Sequence, residues 1–582
     1  MKERYQKGYF LGIVILTGIV CGAGAIILYV LIDLVTEIFL NGFGGIDLPN
    51  AYGEVKIFDL NIDLPQIPYF IIPVIGGALS GIVVYRFSPE AEGHGTDSVI
   101  RAFHREHGMI RGRVPVIKAI ATSLTIGSGG SAGREGPVAQ IGAGFGSFIA
   151  QKLGLSDRER RILVVSGMAG GIGGIFRSPL GGALFGIEVL YRKDAETDGL
   201  IYAFITSIIS YMVFSLFLFL YHHEYPGSIF RTPEIIRVDF AEIPFFAITG
   251  ILCVGVAQVY VRFFYLIHDT FKRIKVKSWL KPAIGGFITG IIALIIPQTM
   301  GMSYGYVQLA IDGQLGMRII LGLLVAKILA TSFTVGSGGS GGVFAPSIVI
   351  GSMVGALVGS IAELFMPGAI EFPGIYAIIG MGAFISAVAK TPIASIIMVL
   401  EMSGGYELLP AIMTASSISY VLSGGISIYR EQMETRADSP AHRRELVKDI
   451  LETIRVSDAM TPADGVISVS PSSTVKDVLY LVKTTGHLGF PVVENDRLAG
   501  IITLSDINKI PDDEKDTKRI DEIMTRKLIY VSPDENLENA LKLLISHDVG
   551  RLPVVSDGKL VGIITRSDIM RAHAKELARL EQ

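Results

Sequence analysis

The residue in this chain whose type and setting most suggest chemistry is Glu135. It sits in Gly133-Arg134-Glu135-Gly136-Pro137, directly behind the run Gly127–Ser131 (GSGGS). A glycine- and serine-rich run ending at a helix start leaves backbone N–H groups unpaired at the positive end of the helix dipole. Such a place attracts an anion without the full positive charge that would keep it there, and that combination suits conduction. The Glu135 carboxylate can fill the anion's position itself and swing away when protonated or displaced. The plainer reading is a helix cap paired with Arg134. An acid at membrane depth points to function first.

The element that carries Glu135 occurs twice. Lys118–Pro137 reads KAIATSLTIGSGGSAGREGP and Lys327–Pro346 reads KILATSFTVGSGGSGGVFAP, at a constant offset of 209 and with 12 of 20 positions identical. The second copy has Val343-Phe344-Ala345 in place of Arg134-Glu135-Gly136. Further pairs follow at offset 213: Gly167 with Gly380, Pro179 with Pro392, Glu188 with Glu401. Two related halves, each broken by glycine and proline, point to a transport site at the repeat interface. Broken backbone at membrane depth is tolerated only where it is buried in protein or lines a cavity. Pro137, Pro179, Pro346 and Pro392 mark helix starts, or alternatively permit close helix packing. For Glu188 and Glu401 the matched positions favour a structural role.

Half of the 582 residues are apolar and the mean hydropathy is +0.51. The apolar residues concentrate in runs such as Tyr9–Leu40, Tyr69–Tyr85, Leu200–Leu220, Ile243–Ile267 and Pro282–Ile296. Several approach the roughly 20 residues that cross a bilayer. The first run is expected to be retained rather than cleaved as a signal, and the basic start Met1–Lys7 favours a cytoplasmic N-terminus. A net charge of −3 gives no reason to expect a nucleic-acid partner, and the two cysteines, Cys21 and Cys253, imply no disulfide framework.

Composition changes after Tyr429. Residues 431–448 suit a linker leaving the membrane. Beyond it two α/β units repeat at offset 62, 449–510 and 511–574, followed by a tail, 575–582. Pro491 matches Pro553, Gly500 matches Gly562 and Asp506 matches Asp568.

GREGP (133–137), GGVFAP (341–346) and VLEMSGGYELLP (399–410) together resemble the CLC family of chloride channels and chloride/proton antiporters, over about Tyr9–Arg430. The resemblance implies an α-helical membrane protein of two inverted repeats of tilted, broken helices, about 69–220 and 282–430. It also implies a homodimer with one pore per subunit and a plasma-membrane location with both termini cytoplasmic. It makes Glu135 the gating group and counts the flanking Arg134 and Gly136 among the anion-binding residues. It gives the amides of Val343 and Phe344, with Ala345, to the anion, and makes Tyr429, at the end of the last membrane helix, a hydroxyl donor to it. An interfacial anchor is the alternative for Tyr429. Two departures stand out. Gly93-His94-Gly95 replaces the family's usual serine-bearing anion motif, so His94 and Gly95 either serve the anion, with pH dependence if the imidazole protonates, or are structural. Val189 replaces the second acid of the usual proton-relay pair, which favours a channel over an antiporter. Chloride is the expected anion, with nitrate or fluoride open.

The repeated tail units resemble a CBS pair. That implies an adenine-nucleotide site (ATP, ADP or AMP), with Asp506 and Asp568 on ribose and Thr503 and Thr565 near phosphate. The alternative is that these four residues cap helices. No nucleophile–base set or HExxH cluster appears, so no enzyme activity and no metal are expected. A membrane-anchored nucleotide sensor without transport is the remaining alternative.

Overall fold

The computed structural model describes residues 2–60, 64–223, 227–233, 239–367, 370, 372–442, 450–495 and 497–580. The chain forms two compact units, Met1–Ala441 and His442–Gln582.

Among the described residues, seven helices in the first unit are long and apolar enough to cross a membrane, from Gly8–Phe43 to Phe344–Phe365. The unit's helices fall into two matched series. The first comprises α1 (Lys2–Thr36), α2 (Ile72–Phe87), α3 (Thr96–Arg105), α4 (Val114–Gly127), α5 (Glu135–Lys152), α6 (Asp157–Ile175), α7 (Pro179–Glu188) and α8 (Leu200–His222). The second comprises α9 (Ile243–Arg273), α10 (Lys281–Ile295), α11 (Tyr304–Ile311), α12 (Met317–Gly336), α13 (Phe344–Phe365), α14 (Ile375–Ala389), α15 (Pro392–Ser403) and α16 (Leu409–Leu422). The packing is matched too: α5 lies on α6 as α13 lies on α14, and α1 packs on α8 as α9 packs on α16. The repeats visible in sequence begin at α2 and α10, and the packing adds α1 and α9 to them.

Glycine makes the central crossings possible. A Cβ on Gly142 would strike the Gly167 carbonyl, and one on Gly167 would strike Gly142. Gly351 and Gly380 stand in the same relation in the second half. Without a hydrophobic drive between helices in lipid, such close backbone approach supplies much of the packing energy.

Glu188 and Glu401 are reciprocal caps. Glu188, in the last turn of α7, accepts from Ile393 N (3.2 Å) and Ala394 N (2.8 Å) at the start of α15. Glu401, in α15, accepts from Ser178 Oγ (2.5 Å), Leu180 N (3.2 Å) and Gly181 N (2.8 Å) at the start of α7. Each acid thus satisfies orphan N–H groups at the positive end of the other's helix.

Two expectations are corrected in the chain after α16. Tyr429 is not on the last helix, because α16 ends at Leu422 and Gly424, with φ +54°, turns the chain. Tyr429 then lies in non-helical backbone, held where Ile428 N donates to Val388 O (2.8 Å) and Tyr265 Oη to Ile428 O (2.5 Å). The stretch read as a linker stays on the membrane unit as far as Ala441. Gln432 Nε2 donates to Val189 O and Ala389 O (both 2.9 Å), and Arg161 Nη1 donates to Ala441 O (3.3 Å). Residues 443–448 of that expected linker lie outside the described residues.

The second unit holds β1 (Thr461–Pro462), β2 (Gly489–Glu494), β3 (Arg497–Thr503), β4 (Arg551–Ser556) and β5 (Lys559–Thr565). The strands run in the order β1-β5-β3-β2, with β4 also on β5. The two hairpins repeat in detail, each with an irregularity after Val492 or Val554. Helices Val475–Thr485 and Leu537–Ser546 cover separate small cores.

Candidate functional site

The loops after α4 and α12 interlock. Gly133 N donates to Gly342 O (2.8 Å) and Gly342 N to Gly133 O (2.6 Å). Ser131 Oγ meets Thr331 Oγ1 at 2.9 Å and Thr122 Oγ1 meets Ser340 Oγ at 3.0 Å, the same pair taken once from each side. Hydroxyls on both faces therefore satisfy one another where all four residues are buried. The result brings the starts of α5 and α13 together.

Glu135 is the first residue of α5 and 3% exposed. Its carboxylate reaches across the repeat interface and accepts from Ala345 N through Oε1, while Oε2 is buried without a partner. The carboxylate thus stands where an anion would meet the first-turn amides of α13. It does not pair with Arg134, so the cap-and-pair reading is corrected. The Arg134 guanidinium turns to Glu54 instead, at 3.0 and 2.5 Å. Both terminal nitrogens of Arg134 are thus committed to Glu54, and Nε is buried without a partner.

Val343 and Phe344, the cap residue and first residue of α13, are buried, and the Phe344 ring packs against Phe176 and Phe185 at 5.9 and 5.8 Å. The recorded contact to Glu135 comes from Ala345 rather than from the Val343 or Phe344 amides.

On the other side of Glu135, Gly95 is the cap residue of α3 with φ +86°, a conformation glycine adopts freely. Gly136 packs so closely that a Cβ there would strike His94 O. Lys118 holds this turn from α4, its Nζ donating to Gly93 O (2.6 Å) and Ala91 O (3.0 Å). Its duplicate Lys327 donates to Thr299 O, Gly301 O and Ser303 Oγ at 3.1, 2.8 and 2.8 Å.

His94 is 8% exposed; its Nε2 lies 3.4 Å from Asp97 Oδ2 and its Nδ1 is buried without a partner. The Tyr429 ring is 5.5 Å from the His94 ring. Tyr429 is 2% exposed, too buried for an interfacial anchor, and its hydroxyl meets Thr96. The first unit therefore brings Glu135, Gly136, Ala345, His94, Gly95 and Tyr429 to one region. It also brings in three groups that sequence reasoning passed over: Glu54, Lys118 and Lys327. The lysines were findable, since each opens one copy of the duplicated stretch and an ionisable residue in an apolar helix is a signal. Glu54 left no such trace.

Residues 76–424 match the family described as voltage gated chloride channel, and residues 456–512 and 520–575 each match the CBS domain. The chain belongs to the voltage-gated chloride channel family.

The chloride channel protein CLC-f of Arabidopsis thaliana is 28% identical over 84% of this chain and 71% of that protein. The H(+)/Cl(-) exchange transporter ClcA of Vibrio campbellii is 30% identical over 62% of this chain and 78% of its own. The crystal structure of a slow cyanobacterial Cl-/H+ antiporter superposes with a TM-score of 0.61 at 24% identity, covering 72% of this chain and 96% of that one. This member of the family is therefore an anion-transport protein of the membrane with a C-terminal CBS pair.

In that pair, Thr503 and Asp506 form a capping box: Thr503 N and Oγ1 donate to Asp506 Oδ2 at 3.1 and 2.6 Å. Thr565 and Asp568 repeat it at 3.0 and 2.6 Å. The second carboxylate oxygens lie 3.5 Å from Lys509 and Arg571 respectively. The capping alternative thus accounts for one oxygen of each aspartate. Among the described residues, no cluster of His, Cys, Asp or Glu fits a metal ion.

Proposed function

We propose that the protein passes chloride through a pore in which the Glu135 carboxylate is the gate. The observation that carries this is the bond from Ala345 N to Glu135 Oε1 across the repeat interface, with Oε2 left unpaired. A carboxylate held by helix-start amides is a resident competitor for chloride. Protonation removes its charge and its hold, and the anion takes its place. Tyr429 and His94 form the next anion position, the tyrosine as a hydroxyl donor.

A passive channel is favoured by Val189, an apolar buried residue at the C-terminal end of α7 whose carbonyl is tied to Gln432. Proton antiport is the second reading, favoured by His94, whose orphaned Nδ1 backs onto the contact with Asp97. Chloride-loaded liposomes under a chloride gradient, with external pH recorded, separate the two. Proton uptake driven by chloride efflux establishes antiport; efflux without proton movement establishes a channel. Efflux of nitrate or fluoride in place of chloride overturns the choice of anion.

The protein works as a homodimer in the plasma membrane with cytoplasmic termini. Exposed apolar side chains such as Leu180, Ile201, Met212, Ile393 and Met413 are covered by bilayer or by protein. The CBS pair takes an adenine nucleotide, the ribose hydroxyls displacing Lys509 and Arg571 from the second oxygens of Asp506 and Asp568. Calorimetry of the purified chain with ATP, ADP and AMP tests this, and absence of heat with all three contradicts it.

A further inference from the structure

After α1 the segment 53–60 runs past Arg134, fastened to α1 and to the turn that follows it. Tyr29 Oη donates to Val55 O (2.6 Å) and accepts from Val55 N (2.9 Å). Asp33 Oδ2 accepts from Ile57 N (2.8 Å) and Phe58 N (2.7 Å), and Glu37 Oε1 from Leu60 N (3.2 Å). Tyr29 and Asp33 lie four apart on α1 and share a face, and Glu37 opens the π-helical turn Glu37–Phe43 directly after it. Arg177 fixes the segment from the other side, its Nη2 donating to Gly53 O at 2.8 Å.

What this fastening presents is Glu54. Its carboxylate takes both terminal nitrogens of Arg134, and the two side chains are 9% and 2% exposed. The guanidinium is walled by the Tyr29, Phe176 and Tyr304 rings at 5.3, 5.7 and 5.8 Å. A cavity of about 110 Å³, lined by Tyr29, Asp33, Glu37, Glu54, Arg134 and Tyr304 among others, reaches the pair. Arg134 is the cap residue of α5, and the next residue is Glu135.

Charges interact strongly where water is excluded. An uncompensated Arg134 would hold any neighbouring anion, the Glu135 carboxylate included. We infer that Glu54 sets how readily the anion position at Glu135 empties, by cancelling the charge of Arg134. Glu54 is a positioning residue: it bonds neither the anion nor Glu135 and acts through the arginine. The inference rests on Glu135 being the gate.

Glu54 itself is not the pH sensor. Burial works to raise its carboxyl, but the charge and hydrogen bonds of Arg134, with Arg177 and Tyr29 adding, hold it below the usual carboxylate range. Its countercharge therefore persists to lower pH than that of an ordinary carboxylate. Lys327 of α12 also faces Glu135, as do Tyr260, Tyr304 and Tyr429. Lys56 is engaged with Glu37 at 3.1 Å.

The test is chloride flux from liposomes between about pH 4 and about pH 8 for the parent, Glu54→Gln, Glu54→Asp, Glu135→Gln and the Glu54→Gln/Glu135→Gln double variant. Glutamine removes the charge and keeps one hydrogen-bond acceptor for Arg134, its amide nitrogen replacing the other. The midpoint of the pH response in Glu54→Gln is expected to move about one unit toward acid, because a freed cation favours the ionised gate. Glu54→Asp is expected to restore the parent midpoint, and the double variant to be as insensitive to pH as Glu135→Gln. In the Glu135→Gln background, adding Glu54→Gln is expected to tighten chloride binding by calorimetry about tenfold. A Glu54→Gln midpoint equal to the parent's, or flux lowered by one factor at every pH, overturns the inference while leaving the gate intact. A Glu135→Gln variant that keeps the parent's pH response overturns the gate and this inference with it.

Discussion

Gly133 and Gly342 each donate to the other's carbonyl, so the two copies of the duplicated loop meet as equals. One residue further on, at Arg134 and Val343, the equality ends. The first copy puts a carboxylate at its helix start, and the second puts Phe344 there, followed by Ala345, whose amide receives that carboxylate. Glycines and serines were kept in both halves because the backbone crossing needs them. The charged side chain is present in one half only. One half supplies the cradle and the other the occupant, and a gate needs that asymmetry: two acids would repel, and two bare amide sets would hold an anion with nothing to displace it.

The sharpest way to break this comparison is to add one methyl group to each loop. A Cβ on Gly133 would fall on both oxygens of the Glu135 carboxylate, whereas one on Gly342 would lie 3.0 Å from Gly136 N and 3.1 Å from Glu135 Oε2. Overpacking costs about 1–3 kcal/mol, which at the upper end shifts occupancy more than tenfold, at about 1.4 kcal/mol per decade. Gly133→Ala should raise chloride flux at neutral pH on the order of tenfold, and Gly342→Ala should raise it less. Equal effects in the liposome assay would mean that the two copies are not specialised.

The reciprocal caps offer a second, smaller contrast, because there the halves do the same work. Glu401→Ala removes three hydrogen bonds and Glu188→Ala two. Each should destabilise by about 1–3 kcal/mol, Glu401→Ala more. The check is the thermal midpoint of the detergent-solubilised protein. A Glu188→Ala protein that melts like the parent but has changed proton movement would give Glu188 a transport role instead.

The smallest expected effect is in the CBS pair. Asp506→Ala and Asp568→Ala each remove a capping-box acceptor and should cost about 1 kcal/mol apiece. Hydrogen exchange on the full chain reads this as matched loss of protection at residues 504–507 and at the start of 566–580. Loss at one helix and not the other would show that the two boxes are not equivalent.

Much of this was legible because duplication writes itself into sequence. The offsets of 209 and 213 gave the paired loops, the helix starts at Pro179 and Pro392, and the isolated acid. What stayed hidden was whatever the repeat does not constrain. Tyr429 looked helical because the run before it is apolar, and Gly424 ends the helix first. Arg134 looked like a partner for Glu135 because it is adjacent, yet consecutive residues on a helix point apart, and its partner comes from 80 positions away. Glu54 belongs to an irregular segment with no periodicity to read. The polar stretch after Arg430 reads as a solvated linker by composition, whereas Gln432 and Arg436 spend their polarity on buried carbonyls and on Asp198.

The central claim is that the Glu135 carboxylate occupies the anion's place and leaves it on protonation. The most direct measurement is chloride efflux from liposomes carrying Glu135→Gln beside the parent, across the same pH range. The account predicts parent flux that rises as pH falls and Glu135→Gln flux that is open and flat with pH. A folded Glu135→Gln protein that passes no chloride, or whose flux still follows pH as the parent's does, would contradict it.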